Sequence, residues 1–447
     1  MDEFNKENVA KKLLDKFVKA GASDVVININ EDDSQQVKFA NSKIAITQSW
    51  TTEKADIFVA VGKKVVGTTL KDFSETAIEE AVGKIMKFAN ATQPNEDYEG
   101  IATGPFNYKE VEETYDSKIA SMDEKAVDLT IAGINAAVDN GVKRTAGVFE
   151  STTFNSYLLT SNDVEASEKG TKLYFSLRAL IDKYASGHCV SNSRILSKFN
   201  PEQDGKDAAE TAKLAQNPSA GEDGVYDVLF EPLPFSNILQ QIGEASSIFN
   251  VESHLSCFTG KLNQQVAASD VTITDQGNLP NGFSSGKFDA EGVPTKATTL
   301  VENGILKNYL HNTSTAKRHK TQTTANAGLI APNPSNIMFN NGKLNKEEII
   351  SNIKKGLIVT NVWYTRFQNY STGDFSTIPR DGMFMVENGK ITGAVKELRI
   401  SENLINILKN VAVIGSESKQ VFGWEVDLPV TTPPVLVKDV HLTKSVA

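Results

Sequence analysis

Val9, Leu13 and Phe17 recur at i, i+4 and i+8 with lysines between them, so residues 3–20 read as an amphipathic helix that Gly21 stops. The period then drops to two. Val25, Ile27 and Ile29 alternate with smaller or polar neighbours, as do Val37 and Phe39, Ile44 and Ile46, and Ile57, Val59 and Val61. Lys63-Lys64 marks a turn before Val65-Val66, and a second helix is expected from about Ser74 to Ala89, with Ala77, Ile78, Ala81, Val82 and Ile85 as its apolar face. Residues 1–92 thus read as one unit of helix, antiparallel strands and helix. Residues 93–120, with Pro94, Gly100, Gly104 and Pro105 among acidic residues, read as a linker or connection.

The same pattern recurs over 121–220. Ser121 with Glu124 predicts a capping box opening a helix over about 122–139, strands are expected around 145–151, 153–160, 163–169 and 171–181, and Asp207 to Ala215 closes the unit as a helix. Two such passes point to two similar α+β units. A polar break at 217–224 precedes a strand-rich remainder over 221–447, which starts with a strand at Val225–Glu231. Asn303-Gly304 and Asn388-Gly389 sit between apolar runs and predict hairpins. Helices are expected at about 235–247, 313–319 and 346–355, the last capped by Asn345 and Glu348, and the final stretch reads as strands ending in Pro429 and Pro433-Pro434. The fold class is α+β: helix, antiparallel meander and helix units followed by a β-rich C-terminal domain.

At roughly 150 residues per domain, 447 residues allow about two to four domains. The 46 basic and 56 acidic residues leave a net charge of −10, which disfavours nucleic acid and anionic membrane surfaces as partners. No apolar run approaches the ~18 residues of a membrane helix. The polar start Met1-Asp2-Glu3-Phe4-Asn5-Lys6 does not read as a secretory signal, and two cysteines suit a reducing cytoplasm, so a cytoplasmic location is expected.

The candidate chemistry is sparse. No pair of histidines stands at helical spacing beside a glutamate, as a zinc hydrolase would show. His254 and Cys257 have HxxC spacing and could share a metal on a turn or helix, or be a partly buried His beside a free Cys. His188 and Cys189 are adjacent, so on a strand they face opposite ways. His311 and His319 lie among Lys317, Arg318 and Lys320, which reads as a basic surface helix end. Gly282-Phe283-Ser284-Ser285-Gly286 has the letters of a nucleophile elbow without the preceding strand or following helix, and reads as a flexible loop. No phosphate-binding glycine loop follows a strand. Two polar clusters remain: Asp289-Ala290-Glu291-Gly292, and Ser371-Thr372-Gly373-Asp374-Phe375-Ser376. Each is either the lining of a peptide or ligand groove or plain turn chemistry.

At these residues the chain resembles the TldD/PmbA family, the two-subunit TldD–TldE metalloprotease also described as a modulator of DNA gyrase. Phe288-Asp289-Ala290-Glu291-Gly292-Val293-Pro294-Thr295 is similar to the family's D-x-EG stretch, and Leu300 to Leu310 to the hairpin after it. Ser314-Thr315-Ala316-Lys317, Thr324 to Gly328, Gly356 to Thr360, Thr372 to Ser376 and Val386 to Ile391 follow in family order, and Phe39 to Ile44 resembles the N-terminal part. The family's TldD-like branch carries H-E-x-x-x-H on a helix and a cysteine near the end. Here the helix after Val228-Leu229-Phe230-Glu231-Pro232 has Gln240, Gln241 and Ala245 at those three positions, and Gln420-Val421-Phe422-Gly423 holds no cysteine. The resemblance therefore implies the PmbA/TldE-like branch: a non-catalytic, peptide-binding subunit with no metal of its own. Zinc is then expected in a TldD-like protease partner, in a homo- or hetero-oligomer, commonly a dimer. Asp289, Glu291, Gly292, Thr372, Gly373, Asp374 and Ser376 are its expected peptide-binding residues. The alternatives are a regulatory binding protein without proteolysis, of the gyrase-modulator type, and an autonomous metallohydrolase with ligands relocated to His254, Cys257 and His311.

Overall fold

A computed structural model describes residues 5–445. The chain opens with α1 (Lys6–Lys19), capped by Asn5, whose side chain accepts the Asn8 N–H; the start of the helix expected over 3–20 lies outside the described residues. The strands that follow are longer than the alternation predicts. β1 (Asp24–Ala40) runs through both expected segments, and so does β2 (Lys43–Val61). The polar stretches between those segments contain no Gly or Pro, and they pair in register from Glu31 with Glu53 to Gln36 with Gln48, so the ladder continues. β3 (Lys64–Leu70) pairs with Ala55–Val61, and among the described residues no strand pairs with residues 43–54 of β2 on that side. α2 (Glu75–Ala91) closes the first pass.

The second pass contains α3 (Ser117–Ala120), α4 (Lys125–Asp139), β4 (Arg144–Thr160), β5 (Glu165–Leu180), β6 (Ser186–Ser193) and α5 (Pro201–Leu214). The capping box expected at Ser121 and Glu124 does not form. Ser121 ends α3, its hydroxyl donating to the Ser117 carbonyl, and Glu124 makes no side-chain cap for α4. The four expected strands merge into two, β6 was not foreseen, and α5 starts at Pro201 behind an Asn200 cap, ahead of Asp207. The two passes form one antiparallel sheet, ordered β3-β2-β1-β4-β5-β6, joined by β1 and β4 from Val26 with Thr160 to Phe39 with Gly147. The odd positions Val25, Ile27, Ile29, Val37 and Phe39 of β1 pack beneath the helices. On the opposite face Val26 joins Phe58, Leu158 and Val164 against Phe288 and Leu329 of the C-terminal half. The connection is laid along this seam: the Tyr98 hydroxyl donates to Asp24, Ile101 is buried, and the Tyr108 hydroxyl donates to the Gly292 carbonyl.

The C-terminal half contains β7 (Ser219–Ala220), β8 (Gly224–Phe230), α6 (Pro232–Ala245), α7 (Ile248–Glu252), β9 (Ile273–Gln276), β10 (Ala297–Glu302), β11 (Ile305–Leu306) and α8 (Thr313–Arg318). It continues with β12 (Ile337–Phe339), α9 (Lys346–Ser351), β13 (Lys355–Val359), β14 (Val362–Asn369), β15 (Asp374–Pro379), β16 (Met383–Glu387), β17 (Lys390–Lys396) and β18 (Leu398–Asn403). It ends with α10 (Leu404–Lys409), β19 (Val411–Ile414), β20 (Lys419–Gly423), β21 (Val426–Thr432) and β22 (Val435–Lys444). These strands make two sheets, one ordered β11-β10-β9-β12-β21-β20 and one ordered β14-β15-β18-β22-β8-β13-β16-β17-β7, with β19 added to β22. Both Asn-Gly hairpins form, with positive φ at Asn303, Gly304, Asn388 and Gly389. Asn345 and Glu348 cap α9 reciprocally as expected, while α10 interrupts the region expected to be all strand. The main core lies between the two sheets, with α6 inside it through Phe235, Ile238, Leu239 and Ile242. Among the described residues no helix is long and apolar enough to cross a membrane.

α4 and α5 approach closely at Gly133 and Gly205. A Cβ on Gly205 would stand 2.2 Å from the Gly133 carbonyl oxygen, whereas one on Gly83 in α2 meets nothing within 4 Å. Gly205→Ala is therefore expected to destabilise the protein by about 1–3 kcal/mol and Gly83→Ala to stabilise it by about 0.5–1 kcal/mol, both read from denaturant titrations.

Candidate functional site

α6 carries apolar side chains over most of its surface and is buried between the sheets. Its polar positions therefore need partners. Gln240 is buried; its Nε2 donates to the Glu425 carbonyl at 2.6 Å and its Oε1 accepts the Asp427 N–H at 2.9 Å. Asn237, one turn earlier, donates to the same Glu425 carbonyl at 2.7 Å. Both side chains thus hold the turn between β20 and β21. Gln241 and Ala245 lie on another face, where they line a 180 Å³ cavity with Leu255, Cys257, Tyr370 and Leu404. Gln420 on β20 holds backbone as well, accepting the Phe283 N–H and donating to the Asn281 carbonyl. These residues do not fit a zinc ion: the Gln240 and Gln420 amides are engaged with the main chain, amide oxygens are poor zinc donors, and alanine offers none.

The relocated ligand set is not assembled. His254 has φ +56° in the turn after α7 and is exposed, whereas Cys257 is buried in the core and its thiol is pushed up to about 12, first by burial. His311, expected on a basic surface, is instead buried, with Nδ1 3.3 Å from the Thr315 hydroxyl; burial and then the neighbouring His319 press its pKa down to about 4. Among the described residues no three His, Cys, Asp or Glu side chains converge to hold a metal.

Asp289 organises a tight turn. Its Oδ1 accepts the N–H groups of Glu291 and Val293 at 2.9 and 3.0 Å, and its Oδ2 accepts that of Ala327 at 2.9 Å. Burial raises its pKa to about 6 against those bonds. Gly292 takes φ +81° and packs so closely on β4 and β5 that a Cβ would stand 2.3 Å from Val164. Glu291 is 7 % exposed, and its Oε2 accepts the Thr313 N–H at 3.3 Å. Burial, then the charge of Asp289, raises it to about 8. The second cluster forms the turn between β14 and β15. Gly373 has φ +83° against Cys257, and Asp374 is exposed, accepting from Asn403 Nδ2 at 2.8 Å and from the Thr372 hydroxyl at 2.5 Å, bonds that lower its pKa. Ser376 is buried and accepts from Arg399 Nη1 at 3.1 Å. The two clusters do not meet in one cavity. Phe249 and Glu252 of α7 face the cavity lined by Glu291, and Asn250 faces the cavity behind Gly373.

One feature escaped the sequence reading. β14 pairs only with β15 and forms the edge of its sheet. Trp363 and Tyr364 are 40 % and 45 % exposed on it, with Arg380 over the Trp363 ring at 4.7 Å and Arg366 over the Tyr364 ring at 4.1 Å. The strand is tied to α6, since the Thr365 hydroxyl donates to Asn237 at 2.5 Å and the Tyr364 N–H to Glu425 at 2.6 Å. The aromatic residues Trp363, Tyr364 and Phe367 are plain in the sequence, but nothing around them signals an edge.

Residues 223–444 match the model of the PmbA/TldA metallopeptidase C-terminal domain. The chain belongs to the PmbA/TldD family. A PmbA metalloprotease homologue of Haemophilus influenzae is 25 % identical over 389 residues, 81 % of this chain and 80 % of the relative. A metalloprotease of Methanocaldococcus jannaschii is 31 % identical over 211 residues, 45 % of this chain and 46 % of the relative, so that match spans about half of each. TldE of Thermococcus kodakarensis superposes with a TM-score of 0.87 at 18 % identity, covering 97 % of this chain and all of that one. At that identity it shows the shared α+β fold, with the β-rich C-terminal domain of this family.

Gln240→Ala would leave the Asp427 N–H without its part-buried hydrogen bond and remove a bond to the Glu425 carbonyl. A loss of about 1–3 kcal/mol is expected in denaturant titration. For Glu291, whose carboxyl is raised from 4.5 to about 8, the neutral form is favoured in the folded state. Its stabilisation is complete below pH 4.5 and lost as pH rises through 8. Glu291→Gln should therefore flatten the stability profile across that window, leaving the smaller contribution of Asp289, and exceed the wild type above it by on the order of a few kcal/mol.

Proposed function

We propose that this chain is the non-catalytic, peptide-binding member of a TldD/TldE-type metalloprotease. The carrying observation is Gln240: at the first position of the family's zinc motif stands a neutral amide whose donor and acceptor are both engaged with the backbone of residues 425 and 427. Such a group neither ligates zinc nor activates water. In this reading zinc and the general base belong to a TldD-like partner in a cytoplasmic hetero-oligomer, and this chain supplies a surface for an unfolded peptide.

The edge of β14 beyond Tyr364 supports that surface, the Val362 carbonyl and Tyr364 N–H being taken by Trp424 and Glu425. An extended peptide can add to such an edge through main-chain hydrogen bonds that ignore sequence, while Trp363 and Tyr364 supply contact area and Arg366 and Arg380 favour acidic segments. The turn at Thr372, Gly373 and Asp374 would frame one end of it.

Elemental analysis of the purified chain after zinc loading and dialysis should find no stoichiometric zinc, and the chain alone should leave an unfolded peptide intact. Adding a TldD-like subunit should start cleavage. One zinc per chain, or cleavage by the chain alone, would overturn the reading; partner capture without any cleavage would favour the regulatory alternative. Trp363→Ala with Tyr364→Ala is expected to weaken peptide binding about tenfold or more in fluorescence anisotropy, with the melting temperature unchanged.

A further inference from the structure

The seam between the N-terminal sheet and the C-terminal half encloses a cavity of 300 Å³, within the size range of small-molecule sites. Val26, Phe58, Val65, Ile101, Leu329 and Ile330 form its apolar wall. Glu291, Glu252, Asp97, Tyr98 and Arg318 bring the titratable groups. Arg318 is already engaged: Nε at 3.1 Å and Nη2 hold the two carboxylate oxygens of Glu252, and Nη1 donates to the Asp97 carbonyl at 2.6 Å. His319 pairs with Glu252 too, and Lys317 reaches the Glu99 carbonyl. Tyr98 donates to Asp24. Asp97 is exposed to water. That leaves Glu291, which among the described residues has no cation within ion-pair distance and feels the charge of Asp289.

The cavity therefore selects by charge and by surface. An anion would meet the carboxyls of Glu291 and Glu252. A wholly apolar ligand would leave the Glu291 carboxyl facing hydrocarbon. An ammonium answers that carboxyl, and an apolar body covers the wall. We propose that this cavity binds a primary amine carried on an apolar body, its ammonium set on the Glu291 carboxyl. The binding step is RNH3⁺ plus Glu291 carboxylic acid giving the ion pair plus one released proton, with no covalent bond made or broken between ligand and protein. The raised pKa of Glu291 supports this order of events, since the Thr313 and Ala102 hydrogen bonds leave its burial uncompensated and an arriving cation would favour the ionised form. Affinity should then rise with pH up to about 8. A free amine and the N-terminal residue of a peptide share this chemistry. The site is separate from β14, so the inference stands whether or not a protease partner exists.

The test is calorimetric titration of the full chain at pH 7 with hexylamine, hexanol and hexanoate, in two buffers of different ionisation enthalpy. Hexylamine is expected to bind at least about tenfold more tightly than the other two and to release close to one proton. Glu291→Gln should abolish the proton release and bring hexylamine to the level of hexanol. Ile330→Trp, at the exposed rim, should block all three ligands and serves if the first variant does not fold. Equal binding of hexanol and hexylamine, binding without proton release, or an unchanged affinity in Glu291→Gln would overturn the proposal. Leucyl-phenylalanine amide and its N-acetyl form separate the sources. Tighter binding of the free dipeptide than of hexylamine, lost on acetylation, assigns a peptide N-terminus; the reverse order assigns a free amine.

Discussion

A single buried guanidinium ties the two halves of the molecule together. Arg194 is 1 % exposed and sits just beyond β6, at the seam. It donates to the carbonyls of Thr171 on β5, Thr114 in the connection and Ser285 in the C-terminal half. Glu168 is its counter-charge, and that carboxylate accepts the Lys287 N–H from the same C-terminal loop. A buried charge is tolerable only when its donors are satisfied, and here the satisfying atoms come from three separate segments. Desolvation would make any parting of the seam costly. The Asp289 turn, the tight contact of Gly292 with Val164 and the cavity over Glu291 all sit on this seam, so their geometry depends on its remaining closed.

Helix α6 meets the same demand in another way. Where α6 is enclosed by the two sheets, no solvent reaches its polar side chains. Asn237 and Gln240 answer by gripping the β20–β21 turn, and Asn237 also takes the Thr365 hydroxyl from β14. This grip also fixes the sheet edge that carries Trp363 and Tyr364, since Asn237 and the Glu425 it grips both bond to β14.

Local signals read well from the sequence where a residue's conformation is its own affair. Asn-Gly at 303 and 388 formed hairpins, and Asn345 with Glu348 formed a reciprocal cap, because each needs only its neighbours. Signals that depend on a partner read poorly. The strands of the N-terminal sheet run through polar segments because a paired ladder continues unless something breaks it, and pairing is a tertiary event. Ser121 and Glu124 have the spacing of a capping box, but α3 ends there and Asp123 at φ +42° interrupts the chain. The same divide holds at the site. The Asp289 turn was legible as a cluster, while the edge position of β14 and the face of α6 on which each of 240, 241 and 245 lies required the fold.

The uncovered flank of β2 sets a different kind of condition. Over residues 43–54 the backbone amides and carbonyls on one side meet no strand, and Ile46 and Trp50 stand 53 % and 42 % exposed beside them. A second chain with alternating apolar residues could dock there and continue the sheet without limit. Lys43 at one end, Glu53 and Lys54 at the other, and threonine, glutamine and serine between them act as gatekeepers against such polymerisation. A stretch that contributes little to the core thus carries the polar and charged positions that make this edge a poor template for a further strand.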